Sequence, residues 1–393
     1  MKVLVWQWSR FGGPPRFAAC LAEGMRAQPG VTSVTLSLST RAEILRTAKP
    51  PRCDLPVDTY SGFGSFAWKV LISPVIIVAL ARRLRAVRPD LAICAQPGPL
   101  DWVMAAALRP FGTRLMVIVH DADLHPGDGM PLQMPLQRFL CRCADYIVAL
   151  TGHVGDRLRA QGMAGGPNRP LILAAHPPVT FDVPPPRTSR DGPLHLLFFG
   201  RLMAYKGIDL LAGALALLGP RPDLAVRVVG LGDESPDLDT LRGQPNVTVE
   251  NRWVEEDEVG ALLGWSDALI LPYREASQSG VAAAALAAGR TVIATNAGGL
   301  AEQLAGEALA IMCEPEVESV AAAVRTLLES PPRAQGFTPH NDHATAWRDL
   351  AATLLRGEAG ILEISPDDPP DDSIGGASKG SMTSRTESGI LPQ

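Results

Sequence analysis

Short apolar runs of buried-strand character alternate with helical segments twice along this 393-residue chain, and a proline-rich break separates the two series. In the first series the runs lie at 3–6, 34–38, 90–95, 114–119, within ADYIVALT and at 171–174. In the second they lie at LHLLFF from Leu194, then at 225–229, 247–250, 268–271 and 291–294. Residues 17–25, 100–108, 135–143, 154–161, 208–218 and 281–288 read as helices between them. Runs apolar at consecutive positions suit parallel strands covered on both faces, and parallel neighbours need crossover connections. The sequence therefore predicts an α/β protein of two doubly wound domains facing one another across a cleft. The break, VTFDVPPPRTSRDGP at 179–193, reads as a stiff linker between a domain at 1–178 and one at 194–340. A last helix is expected at 341–357, containing Trp347, and the tail at 365–393, almost without core-forming residues, is expected to be disordered.

Composition narrows the class. Apolar residues make up 46% of the chain, enough for a core in each domain. Six cysteines without paired C-x-x-C spacing suit a reduced, cytoplasmic protein. The opening MKVLVWQWSR reaches Gln7 and Arg10 too early for an export signal. The longest apolar run, 70–80, contains Pro74 and falls short of the ~20 residues of a membrane-spanning helix. Charge is divided unevenly: residues 1–180 hold 20 Lys and Arg against 11 Asp and Glu, the remainder 16 against 30. A basic half suits an anionic substrate or membrane surface, and with aromatics at 5% and no recognition motif, nucleic acid is not expected as a partner. Residues 66–87 read as one helix kinked or divided by Pro74, ending in ARRLRAVRP. Four arginines beside a strongly apolar surface suit a membrane-contacting patch or a helix docked on the sheet, and docking is the expectation.

The chemistry-bearing residues gather at strand ends. In LHLLFFGRLMAYKG a strand, the turn at Gly200 and the cations Arg201 and Lys206 precede a helix, an arrangement that can share the charge of a diphosphate. An ordinary strand-to-helix turn with two solvated cations is the plainer alternative. RFGGPPRF repeats the strand, glycine turn and helix unit with Gly12 and Gly13. The segment HDADLHPGDG crowds His120, Asp121, Asp123, His125 and Asp128 after another strand. His120 and Asp121 are adjacent and project differently, so a single histidine reaching into the cleft is expected rather than a metal site, with a structural histidine as the alternative. Ser279, Gly280 and Val281 stand just ahead of a helix, where backbone N–H groups can contact phosphate or sugar.

Together FGRLMAYKGIDLL at 199–211, VVGLGD at 228–233 and PYREASQSGVAAAALAAGRTVIATNAGGLAE at 272–302 resemble the retaining, sugar-nucleotide-dependent glycosyltransferases of the GT-B fold, in the large family 4 group. The resemblance covers roughly residues 1–357. It implies two Rossmann-like domains, with the last helix packing back on the first of them. It also implies a nucleotide-diphosphate sugar as donor, a glycan or lipid-linked acceptor bound by the first domain, and no essential metal or other cofactor. Arg201 and Lys206 match the family's diphosphate-binding cations, Gly12 and Gly13 its first-domain glycine loop, and His120 its histidine against the transferred sugar. Gly200, Gly230, Ser279, Gly280 and Val281 fall in its donor-binding motifs. The family's two glutamates, with seven residues between them, fall at Ala276 and Ala284 here, or in the other register at Glu275 and Ala283, so neither register supplies the pair and Glu275 is the nearest carboxylate for the donor sugar. The expectation is sugar transfer in cell-surface polysaccharide or glycolipid assembly. The alternatives are a non-catalytic sugar-nucleotide binder or assembly protein, and a nucleotide-sugar epimerase of the same fold.

Overall fold

Two six-stranded, all-parallel sheets account for the alternation. The computed structural model describes residues 1–127, 132–166, 169–187, 192–330 and 343–359. The tail at 365–393, Asp128, residues 188–191 of the linker, residues 331–340 of the second domain and the first two residues expected in the last helix lie outside them. The first half runs β1 (Lys2–Gln7), α1 (Gly13–Arg26), β2 (Ser33–Leu38), α2 (Phe63–Leu71), α3 (Ser73–Val87), β3 (Leu91–Cys94) and α4 (Asp101–Leu108). It continues with β4 (Arg114–Val119), α5 (Gln133–Cys143), β5 (Tyr146–Ala149), α6 (Gly152–Ala160) and β6 (Leu171–Leu173). The second half runs β7 (Leu194–Phe199), α7 (Ile208–Leu218), β8 (Leu224–Gly230), α8 (Pro236–Arg242), β9 (Val247–Asn251), α9 (Val259–Trp265) and β10 (Ala268–Leu271). It closes with α10 (Gly280–Ala287), β11 (Thr291–Thr295), α11 (Gly298–Gln303), β12 (Ala310–Cys313), α12 (Val317–Glu329) and α13 (His343–Glu358).

Strand orders are β2-β1-β3-β4-β5-β6 and β12-β11-β10-β7-β8-β9. In each sheet the chain begins inside the sheet, builds to the nearer edge and then reverses past its starting strand. The reversal leaves a crevice beyond the carboxyl ends of β1 and β3 in one half and of β7 and β10 in the other, where open α/β sheets take ligands. Burial follows the pleat. Leu4 and Trp6 of β1 join the apolar layer under α3 and α4, while Val3 and Val5 join the layer under α1.

α13 belongs to that second layer. Trp347, Leu350, Ala351 and Leu354 pack with Phe17 and Leu21 of α1, and the Trp347 ring stands edge-on to Phe17 at 4.9 Å. The approach is close enough that a Cβ on Gly24 would lie 2.3 Å from the Trp347 carbonyl oxygen. The last helix thus returns to the first half, as the resemblance implies.

Of the two outcomes expected at Pro74, a kink or a division, the segment shows the division: α2 and α3 meet at 72° around Ile72. Pro74 falls in the first turn of α3, where its missing N–H costs nothing, so it starts a helix rather than bending one. Docking is also only half of what this segment does: Leu80 and Leu84 are buried, but its outer face remains apolar and exposed. β12, α8 and α12 were not expected from the sequence. β12 is a four-residue edge strand, AIMC, whose first three residues are half-buried, so it lacks the buried apolar run of the central strands.

Gly24→Ala is expected to destabilise the protein by about 1–3 kcal/mol, because backbone on both helices must separate to admit one methyl group. Urea unfolding of the two proteins measures it; in a free helix the same change would stabilise.

Candidate active site

A cleft of about 700 Å³ lies between the halves. Its first wall carries Gly12 and Gly13 after β1, Gln96 after β3 and His120 after β4. Its second carries Gly200 and Arg201 after β7, Gly230 at the end of β8, and Gln278, Gly280, Val281 and Ala284 around the start of α10. The described residues fall in one compact unit, and the halves touch at both rims. At one rim Arg16 of α1 is ion-paired with Glu256, the Glu256 N–H donates to Glu43 Oε1 at 2.6 Å, and Phe11 meets Trp253 edge-on at 5.4 Å. At the other, Thr151 Oγ1 donates to the Ser277 carbonyl at 3.1 Å. Glu302 accepts from the first amides of α6, Gly152 at 2.6 Å and His153 at 3.2 Å, where the helix dipole favours a carboxylate.

His120 joins the walls directly. Its Nε2 lies 2.9 Å from the Ala95 carbonyl, which only accepts, so Nε2 carries the proton and Nδ1 accepts from the Gln278 amide at 2.7 Å. Burial lowers its pKa and keeps the ring neutral. Both nitrogens are therefore committed within the protein, and His120 offers a bound sugar its ring edge. Gln278 lines the cleft, and its Oε1 is buried with no donor among the described residues. The sequence reading missed Gln278, although it sits inside the SQSG motif.

Arg201 lies on the cleft wall and donates to the Tyr205 hydroxyl at 2.9 Å. Lys206 does not line the cleft: it ends the short 3-10 turn Ala204–Lys206, with Nζ 3.8 Å from the Tyr273 ring centre. Glu275 also stands off the cleft, with Oε2 3.5 Å from His125 Nδ1; His125 in turn stacks on Tyr205 at 4.5 Å and bonds Asp121 at 3.2 Å. The Asp121 hydrogen bond raises the His125 pKa against its partial burial.

Ser279 caps α10, its Oγ accepting from Ala282 N–H at 3.2 Å. Its own N–H is given to Gln303 Oε1 at 2.7 Å, so this amide is committed to the fold. The next two, Gly280 and Val281, have no partner among the described residues and open on the cleft. Gly230 has a packing reason as well: a Cβ there would lie 1.6 Å from the Gly200 carbonyl oxygen. Gly200 itself takes φ +134°, a turn that side chains resist. Ala284 faces the cleft and Ala276 is buried beneath it, its carbonyl bonded to Gly299.

His176, in the AHPPV segment after β6, is a second histidine on the wall that the sequence reading passed over. Nδ1 donates to the Pro177 carbonyl at 2.8 Å, which leaves the lone pair of the neutral ring on Nε2. Burial pushes its pKa down to about 4, with His120 adding to the shift. Trp347 of α13 holds this segment by donating from Nε1 to the Pro178 carbonyl at 3.1 Å.

With the walls in view, the comparisons agree with one another. Residues 12–173 match the glycosyl transferase 4-like domain and residues 193–330 match glycosyl transferases group 1. Glycogen synthase from Mycobacterium tuberculosis is 34% identical over 154 residues, 38% of this chain and 37% of that protein, so the match spans little more than a third of the relative. Among solved structures, sucrose-phosphate synthase from Thermosynechococcus elongatus superposes with a TM-score of 0.65 at 16% identity, covering 92% of this chain and 98% of that one. HepE from Anabaena in complex with UDP superposes at 0.60 and 18%, with the same coverages. At these identities the structural likeness is one of fold. The chain belongs to the glycosyltransferases of the GT-B fold, its first half to the 4-like domains and its second to group 1.

The neutral His176 carries a pH signature. Between pH 6.5 and about 4 the unfolded chain binds a proton at this residue that the folded one refuses, so stability falls as the pH falls through that window. The loss is at most about 1.4 kcal/mol per pH unit from this histidine. His176→Asn, which keeps an amide donor for Pro177, is expected to flatten the difference between urea unfolding at pH 5 and at pH 7.

Proposed function

We propose that this protein moves a sugar from a nucleotide-diphosphate sugar to a glycan or lipid-linked acceptor, with retention at the anomeric carbon. The reading needs no metal or other cofactor, and it places the reaction in cell-surface polysaccharide or glycolipid assembly at the cytoplasmic face of the membrane. One observation carries it: Arg201 and the open amides of Gly280 and Val281 converge on the cleft from the carboxyl ends of β7 and β10, opposite the Gly12–Gly13 loop.

Breaking the sugar–phosphate bond builds negative charge on the departing diphosphate and positive charge on the anomeric carbon. A fixed guanidinium and two helix-terminal amides bind the first charge better as it grows, which lowers the barrier. Lys206 joins them by turning Nζ off the Tyr273 face, a short movement for a four-carbon side chain. Gln278 positions the transferred sugar from the cleft wall, and His120 sets the orientation of its carboxamide. The acceptor enters from the first half, whose charge is the more basic of the two.

Arg201→Ala and Lys206→Ala are each expected to lower turnover by two to three powers of ten, about 2–4 kcal/mol of barrier, with the fold retained. Nucleotide release from a panel of nucleotide sugars, with and without acceptor, checks this. Donor-induced thermal stabilisation without release would instead mark a sugar-nucleotide binder, and donor conversion without acceptor an epimerase.

The alanine at 284 makes a separate prediction. A carboxylate accepting from ribose hydroxyls contributes about 1.5–3 kcal/mol per bond, and its place on α10 is empty of one. Ala284→Glu is expected to tighten donor binding, and to do so more for the ribonucleotide than for its 2′-deoxy form. Calorimetric titration of both forms with both proteins measures it; strong discrimination by the unaltered protein would place the ribose anchor elsewhere.

A further inference from the structure

The outer face of α2 and α3 has no counterpart elsewhere among the described residues. Phe63 is 84% exposed, Leu71 71%, Val75 70% and Trp68 58%, with Val70 and Val78 also exposed, all within sixteen consecutive residues. The inner face is already used: Leu80 and Leu84 are buried in the layer beneath, and Phe66, Ile76 and Ile77 lean on the same core. This apolar surface is therefore additional to what the fold needs, and water-facing patches of this kind mark contact with a partner.

Charge identifies the partner. No acidic residue occurs between Asp58 and Asp90, while Lys69, Arg82, Arg83, Arg85 and Arg88 do. The helical spacing of Val75, Val78, Arg82 and Arg85 puts them on one stripe, all four exposed, so the apolar surface runs directly into a cationic one. Neither helix, of 9 and 15 residues, is long enough to cross a bilayer by itself, and a pair bent by 72° and docked along one side suits a position in its surface. An apolar wedge with a tryptophan at its flank and arginines behind it fits the boundary between acyl chains and anionic headgroups.

We infer that the α2–α3 face seats this protein on a bilayer carrying anionic lipid, with Phe63, Trp68, Leu71 and Val75 entering the acyl boundary and Arg82 and Arg85 meeting the phosphates. The inference deepens the lipid-linked-acceptor reading and takes its purpose from it. Attachment is nevertheless measured without donor or acceptor, so the two fail separately.

The test uses the full chain and vesicles of neutral phosphatidylcholine alone or with 30% phosphatidylglycerol, a composition set by the experiment, in co-sedimentation at low and high salt. The expected result is binding to the anionic vesicles at least about tenfold tighter than to neutral ones, weakened by salt. Arg82→Glu with Arg85→Glu, and separately Phe63→Ser with Leu71→Ser and Val75→Ser, should each reduce it about tenfold. Thermal unfolding and nucleotide-sugar binding should be unchanged, since none of these residues lines the cleft. Absence of vesicle binding, or binding indifferent to both sets of changes, overturns the inference. So does a stable dimer in solution that the serine variant dissociates, which would assign the face to a second copy of the chain. Vesicle attachment in a protein that releases no nucleotide would leave the inference standing and remove the transferase reading.

Discussion

The cleft depends on polar groups that each half leaves for the other to complete. His120 has one nitrogen bonded to its own half and needs Gln278 for the second. The first amides of α6 have no acceptor until Glu302 arrives from α11, and Arg16 would be an isolated charge without Glu256. A half-buried group without its partner costs more than the bond it would make contributes, so these contacts act as a set that fixes how far apart the walls stand. Arg201 and the amides of α10 can converge on one ligand only at that separation.

The same arrangement divides the labour between the walls unequally. Pro14 and Pro15 in the first turn of α1 remove two amides that would otherwise face the cleft, whereas α10 keeps Gly280 and Val281. Anion binding is thereby concentrated on the second half. Besides Arg16 and Asp121, the first half contributes the imidazoles of His120 and His176, held uncharged by burial. Of the two, His176 keeps an acceptor nitrogen, while both nitrogens of His120 are committed within the protein.

Much of this was legible from sequence, for physical reasons. Continuous apolar runs such as LLFF and MVIV leave a buried parallel strand as the economical choice, and Gly12, Gly13, Gly200 and Arg201, in the turns after β1 and β7, line the cleft whereas Lys206 does not. Edge strand β12 escaped because half-burial removes that signal. The bend between α2 and α3 was visible as Pro74 but not its consequence, since a helix apolar all round looks alike whether its second face meets protein or nothing. Gln278 and His176 escaped for another reason: what matters in each is a single unsatisfied atom, which depends on partners 158 residues away for Gln278 and on a carbonyl one residue on for His176. The commitment of the Ser279 amide to Gln303 was hidden likewise.

The return of α13 has a mechanical meaning. Because Trp347 is fastened to Pro178 and to α1, the polypeptide passes between the halves twice, once after β6 and once between α12 and α13. One tether would let the second half swivel in any direction. A second crossing limits how the second half can turn against the first, and it does so from the side of the molecule where His176 and the Trp347–Pro178 bond stand.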